Sequence, residues 1–397
     1  MPLRSTPARP FPLRTRLRAT GVAAVCLAAL CQAPASTAAA PAARGSDLQN
    51  QLEQLVHAPG GPPGVIAVLR RDGHTQVVRA GVADLATGRR PSQNDHMRIA
   101  STAKAFSGAV ALTLVDRHAL RLNETLGERL PQLPKAWHRV TLRQLLNHTS
   151  GLPDFSAAPE FRSILAADPH HHFDSRRLLD FVADQPLNFR PGSQYRYSNS
   201  DNIAVALMAE AATGARYELL LRKLVYRPLG LHDTTLPQGY MMFEPYLHGY
   251  DVAGPPPPED VSELLGASGS WASGGIISTP ADMTRFIRGY AGGALYGKNV
   301  VREQRRWIAG ASEPAGPGRN MAGLAIFRYA TRCGVVLGHT GNFPGYTQLI
   351  SATPDGRRSL TFSVTTQINK TQTPALLSRL RAVQENFVCA LLARSKH

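Results

Sequence analysis

The sequence predicts an α+β fold, on three observations. Two β-rich runs stand close together near residue 64, helical patterns fill the middle of the chain, and four strand-like runs followed by an amphipathic helix close it. That order describes a sheet unit from residues 45–100 and 266–397, interrupted by a mainly helical unit at 101–265. No internal repeat is present.

The chain has 397 residues. It opens with Arg4, Arg9, Arg14, Arg16 and Arg18, an apolar run from about Ala19 to Leu30, and the small-residue stretch QAPASTAAAPAA. This is the layout of a secretory signal peptide over residues 1–35, with Ala33-Pro34-Ala35 as the cleavage signal, and the apolar run is too short to span a bilayer. Leu30 stands where a lipoprotein signal before Cys31 would place a small residue. The expectation is an exported, extracellular protein without a transmembrane segment, its mature chain of roughly 355 residues long enough for a large core.

After the leader, GVIAVLRRDGHTQVVRAGVAD (64–84) reads as a hairpin: two β-rich runs flank Arg71-Asp72-Gly73, where glycine suits the turn. Helical patterns run from Thr102 to about Leu265, broken at Asn147–Pro153 and at Pro191-Gly192. GPPPPED (254–260) is a loop, since consecutive prolines exclude helix and sheet ladders. Strands return at GLAIFRYA, GVVLGHTG, YTQLISAT and SLTFSVTT, the last two joined by the turn Pro354-Asp355-Gly356. A final amphipathic helix fits 373–393.

Lysine and arginine together number 44 against 28 acidic residues, a formal charge of +16. A basic surface suits anionic polymers such as wall material, or membrane faces, but scattered solvated arginines with no specific partner are the simpler explanation. No zinc-finger, helix-turn-helix or RNA-binding signature accompanies it, and export argues against nucleic acid. With Cys26 and Cys31 in the leader, Cys333 and Cys389 remain: either one disulfide or two unrelated buried thiols. The tract DPHHHFD (168–174) is a poor metal site, because three adjacent histidines cannot all face one ion from a regular element. No Gly-x-Ser-x-Gly elbow is present, which disfavours an ordinary α/β-hydrolase. No cofactor and no metal are expected.

The chemistry is concentrated in three short motifs. Ser101-Thr-Ala-Lys104 opens an apolar helical pattern, and the i, i+3 spacing puts hydroxyl and amine one turn apart on one face. A lysine disfavoured as an ammonium can take the serine proton, and the helix N-terminus favours an oxyanion beside Ser101. By chance alone about 0.4 such pairs are expected in this composition. Tyr197-Ser-Asn199 lies in a polar loop before a helical run; a tyrosine near a cation can pass a proton to a leaving group, and an asparagine amide can hold a carbonyl. His339-Thr340-Gly341 follows a strand-like run, where glycine lets the backbone approach a substrate closely. Each tripeptide alone equally describes a capped helix or a turn.

In this order, and joined by LLNHTSGLPDF (145–155) and SWASGGIISTPADMTRF (270–286), the motifs resemble those of the penicillin-recognising serine hydrolases. The branch is that of class C β-lactamases, D-alanyl-D-alanine carboxypeptidases and related esterases, and the resemblance covers about residues 60–392. The YSN and HTG motifs and cysteines at 333 and 389 look most like exported actinobacterial DD-carboxypeptidases. The resemblance implies a β-lactamase/DD-peptidase-like fold, an antiparallel sheet flanked by helices with the active site between it and the all-helical insertion, and a Cys333–Cys389 disulfide. It implies that Ser101 attacks a carbonyl, Lys104 accepts its proton and Tyr197 shares the proton traffic. Asn199 would hold the acyl side-chain amide, and His339 with Thr340 and Gly341 would engage the terminal carboxylate or leaving amine. The backbone N–H groups of Ser101 and Asn342 would form the oxyanion hole. Trp271 would wall the pocket or, equally, fill the core.

Two departures shape the functional expectation. His339 stands where β-lactamases of this branch carry lysine, and Phe327 stands where a carboxylate-binding arginine is found in some carboxypeptidases, with Arg328 turned to the opposite face by strand alternation. The first expectation is therefore a DD-carboxypeptidase acting on peptidoglycan-like peptides, with β-lactams as covalent ligands. An esterase or D-amino-acid amidase follows, then a β-lactamase. A non-catalytic penicillin-binding module on the same fold would lack one of these residues, and none is missing.

Overall fold

In the computed structural model, which describes residues 45–393, the sheet is built from both ends of the chain. Its strands are β1 (Gly64–Arg71), β2 (His74–Gly81), β3 (Ile308–Ala309), β4 (Arg319–Ala322), β5 (Phe327–Thr331), β6 (Gly334–Phe343), β7 (Tyr346–Ala352) and β8 (Ser359–Val364). They lie in the order β2-β1-β8-β7-β6-β5-β4-β3, antiparallel at every pairing. The signal-peptide segment, Cys26 and Cys31 lie outside the described residues.

Local chemistry sets the strand ends. Asp72 and Gly73 both take positive φ (52° and 84°), the two-residue turn whose twist matches a β1–β2 hairpin. The Pro354-Asp355-Gly356 turn joins β7 to β8, with Asp355 accepting from the Thr353 hydroxyl. Along β1, Val65, Ala67 and Leu69 enter one apolar cluster while Ile66 and Val68 enter another, so the sheet is covered on both faces.

Five longer helices frame it: α1 (Gly45–Val56), α2 (Ala103–Asp116), α3 (Asn199–Thr213), α4 (Pro280–Gly292) and α5 (Pro374–Leu392). Leu48, Leu52 and Leu55 of α1, and Leu380, Val383, Phe387 and Leu391 of α5, recur at helical spacing and pack on one face with Leu360 and Phe362 of β8. On the other face α4 begins with Thr279 capping the Asp282 N–H and Pro280 in its first turn, and stops at Gly293 with φ 75°. The α2 helix is buried all round from Ala103 to Leu114, as a helix apolar on every side must be. Phe106 of α2 stacks on Phe286 of α4 with ring centroids 3.6 Å apart.

The proline tract bends as expected, but its end, Glu259–Asp260, forms a short ladder with Tyr250–Asp251. Cys333, in the β5–β6 turn, is bonded to Cys389 of α5, with Cα atoms 5.1 Å apart and a sequence separation of 56. By loop-closure entropy such a link contributes about 4 kcal/mol. None of the described helices is long and apolar enough to cross a membrane.

Candidate active site

Ser101 sits in a single 3-10 turn, Ala100–Thr102, that feeds directly into α2. The residue before it, Ala100, is buried and held at φ 51°, a left-handed conformation costly for a residue with a Cβ. Strand β6 runs against this turn. A Cβ on Gly341 would lie 2.6 Å from the Ile99 oxygen and 3.1 Å from the Ser101 nitrogen, so only glycine allows the approach. Asn342, the next residue, lines the cavity with Ser101, and its amide donates to the Ile368 carbonyl.

One turn along α2, Lys104 is completely buried, and its ammonium nitrogen finds three oxygens: Ser101 Oγ at 3.0 Å, Asn199 Oδ1 at 2.7 Å and the Ser273 carbonyl at 2.8 Å. The ring of Tyr197 lies 4.9 Å from the same nitrogen. Burial pulls the lysine pKa down to about 7, against Asp154, Glu313 and Asp201, which favour the charged form. At neutral pH about half of this amine is free base, whereas an ordinary lysine is neutral in about one molecule in 2,500.

Tyr197 is the opposite case. Burial holds its phenol well above the ordinary range, partly offset by the Ser101 hydroxyl, although no hydrogen bond of full geometry joins the two oxygens. The phenol is therefore a neutral donor, and Lys104 is the group that can accept a proton.

Asn199 is the first residue of α3. Its side-chain oxygen faces Lys104, and its NH2 donates to Asp154 Oδ2 at 3.1 Å and to Ser156 Oγ at 3.0 Å. Both amide hydrogens thus have partners within the protein. Behind Tyr197, His148 and Asp201 meet at 2.8 Å in complete burial, with the His148 ring 4.5 Å from the tyrosine ring. Burial drives both toward their neutral forms, His148 down to about 3 and Asp201 well above the carboxylate range.

These groups open onto a cavity of about 1140 Å³, lined by Ser101, Asp154, Tyr197, Asn199, Ser273 and Asn342 among others. Of the sequence-predicted residues, Lys104 and Gly341 lie behind its wall, and Trp271, His339 and Thr340 also stand outside it. Trp271 is buried in the core with its indole N–H on Glu218 at 3.0 Å, while Ser270, Ser273 and Gly274 beside it form the wall. His339 is buried against Phe327, ring centroids 5.0 Å apart, its Nδ1 on the Thr340 carbonyl and its Nε2 without a partner. Burial lowers its pKa to about 3, so it carries no charge for a carboxylate. Thr340 donates to the Pro314 carbonyl, because the 311–318 loop covers this end of β6. Tyr195 holds that loop at Ala311 and Arg381 holds it at Gly316 and Gly318.

Phe327 is buried, and Arg328 does not reach the cavity. The cations at the wall are Arg162, Lys370 and Arg381; none makes an ion pair among the described residues, and Arg162 and Arg381 donate instead to backbone carbonyls. No group of three His, Cys, Asp or Glu side chains suited to a metal occurs among the described residues either; His170 instead stacks on Tyr240.

Sequence reasoning missed Asp154, Ser156, the Ser273 carbonyl and the His148–Asp201 pair. The first two and His148 lie in or beside the stretch LLNHTSGLPDF, which supported the resemblance but pointed to no role for these residues.

A family model described as Beta-lactamase matches residues 50–385. Penicillin-binding protein 4* of Bacillus subtilis is 24% identical over 296 residues, 71% of this chain and 63% of that protein. The D-alanyl-D-alanine-carboxypeptidase/endopeptidase AmpH of Escherichia coli is 29% identical over 262 residues, 63% of each chain. The chain thus spans somewhat less than two thirds of the length of these curated relatives. Among solved structures, a D-stereospecific amidohydrolase from Streptomyces sp. superposes with TM-score 0.71 at 26% identity, covering 81% of this chain and 94% of that one.

Proposed function

The chain belongs to the β-lactamase family, and from that premise we propose that it is an exported serine hydrolase, a DD-carboxypeptidase that removes the terminal D-alanine from cell-wall peptides. The observation that carries the chemistry is the buried Lys104 amine, 3.0 Å from Ser101 Oγ and brought down to a pKa of about 7.

Ser101 Oγ attacks the carbonyl carbon of the scissile bond while its proton passes to Lys104. The oxyanion is received by the N–H groups of Ser101 and Asn342, at the place where Gly341 lets β6 close on the turn. The C–N bond breaks as the leaving amine takes a proton through the neutral Tyr197 hydroxyl, which is resupplied from Lys104. Water then attacks the Ser101 ester, giving its proton to the Lys104 amine, which returns it to Ser101 Oγ as the ester C–O bond breaks and the acid leaves. A β-lactam acylates Ser101 by the same first step but has no separate leaving group.

Two features support a peptide with a carboxylate end. The cavity is large enough for a peptide, and Lys370 at its wall supplies the cation that Phe327 and the uncharged His339 do not. The Cys333–Cys389 disulfide supports an oxidising compartment outside the cytoplasm.

A second reading, an amidase acting on D-amino-acid amides, is favoured by the covering of Thr340 by the 311–318 loop, which removes a carboxylate ligand. Incubation with a peptide ending in D-Ala-D-Ala and with D-alaninamide separates the two. The proposal expects Ser101-dependent release of D-alanine from the peptide; ammonia from the amide with no D-alanine from the peptide establishes the second reading.

A further inference from the structure

The carboxamide of Asn199 has two ends, and the protein uses both. Its oxygen accepts from Lys104 at 2.7 Å, while its nitrogen is gripped by Asp154 and Ser156. Asp154 also accepts from the Asn199 backbone N–H at 3.0 Å, at the start of α3, and from the Ser156 N–H and hydroxyl at 3.0 and 2.9 Å. A carboxylate can only accept, so it dictates which end of the amide turns toward it. Were the amide reversed, its oxygen would face the carboxylate and its NH2 would face the lysine, two repulsive contacts in a buried site.

We propose that Asp154 is a positioning residue: it locks the Asn199 amide with its oxygen toward Lys104, and so fixes where the base stands and how readily it takes a proton.

The proposal rests on the reading of Lys104 as the base. Other groups face the same amine. Ser101 does so from its own turn, Tyr197 from the loop before α3, and the Ser273 carbonyl from the short Trp271–Gly274 helix. Glu313 of the 311–318 loop adds negative charge, while Asp201 of α3 is driven toward its neutral form by burial, as are His148 and His339. Among these, Asp154 is the strongest influence favouring the ammonium, and it alone also holds the amide that touches the amine. Loss of its charge and loss of the amide's orientation act in the same direction, toward a weaker base.

The chain has six lysines, few enough for each to be followed by NMR in protein with isotope-labelled lysine. The experiment titrates the Lys104 amine in wild type, Asp154→Asn, Asp154→Glu and Ser156→Ala, and in parallel records the pH profile of kcat/KM on an activated ester. In Asp154→Asn the Lys104 titration and the acidic limb are expected to move together to lower pH, by roughly half a unit or more. The plateau rate should fall by roughly tenfold or more as the base loses its position. Asp154→Glu should restore much of the limb, and Ser156→Ala, which keeps the charge, should lower the rate with the limb unmoved.

A Lys104 titration unmoved in Asp154→Asn, or a fall in rate with melting temperature alone and no change in the profile, would overturn the proposal. The NMR titration reads the amine whether or not the ester is turned over. An inactive wild type with a shifted titration in Asp154→Asn therefore counts against Lys104 as the base and not against the action of Asp154 on it.

Discussion

The amine of Lys104 lies 3.0 Å from the hydroxyl of Ser101, behind the cavity wall and out of contact with solvent. The pair is one helical turn long, but its chemistry depends on burial: in water the same two residues would be an ammonium beside an alcohol.

The first consequence is a pH profile. Because burial lowers the lysine pKa to about 7, the reactive neutral amine is lost below that value and gained above it. kcat/KM should therefore rise through about pH 7 to a plateau. Tyr197 stays protonated and His148 stays neutral across that range, so neither adds a second limb there. A rate independent of pH between 5 and 9 would contradict this assignment of the base.

Lys104→Met should keep the fold at some cost in stability, since its stem lies in the buried α2 helix but Asn199 Oδ1 and the Ser273 carbonyl lose their donor, and lower acylation by roughly a thousandfold or more. Circular dichroism and stopped-flow acylation check the two halves. A variant that acylates within tenfold of wild type would place the base elsewhere.

Gly341→Ala should be harmful out of proportion to its size. The added methyl would meet the Ile99 oxygen and the Ser101 nitrogen, forcing β6 off the turn. The expected cost is about 1–3 kcal/mol in stability and roughly a hundredfold in kcat/KM. Denaturant unfolding and steady-state kinetics measure both.

The disulfide ties α5 to the β5–β6 turn, away from the reacting groups. Alkylation of unreduced protein produced without residues 1–35 should find no free thiol. Cys333→Ser with Cys389→Ser should lower the unfolding free energy by about 2–4 kcal/mol while Ser101 still acylates.

Much of this was legible in the sequence, for identifiable reasons. Alternation and turn chemistry exposed the strands around Asp72-Gly73 and Pro354-Asp355-Gly356, and i, i+3 spacing placed Ser101 beside Lys104. What escaped was long-range or carried by backbone. The Ser273 carbonyl reaches Lys104 across 169 residues and has no side-chain signature. Asp154 meets Asn199 across 45 residues, and nothing local marks it as more than a helix-capping acid. His339 and Thr340 belong to a strand that was found, but their access is decided by the 311–318 loop, whose path depends on Tyr195, Tyr329 and Arg381 packing against it. Trp271 was open between wall and core, and Glu218, which accepts its N–H, lies 53 residues away.

The central claim is that Ser101, activated by Lys104, forms a covalent acyl-enzyme. Its most direct test is the intact mass of the mature protein after brief and prolonged exposure to benzylpenicillin, with Ser101→Ala alongside. The account predicts a single adduct of the mass of the drug that persists in the wild type and is absent from the variant. An equal adduct on Ser101→Ala, or a wild type that never carries one while releasing D-alanine at the variant's own rate, would contradict it.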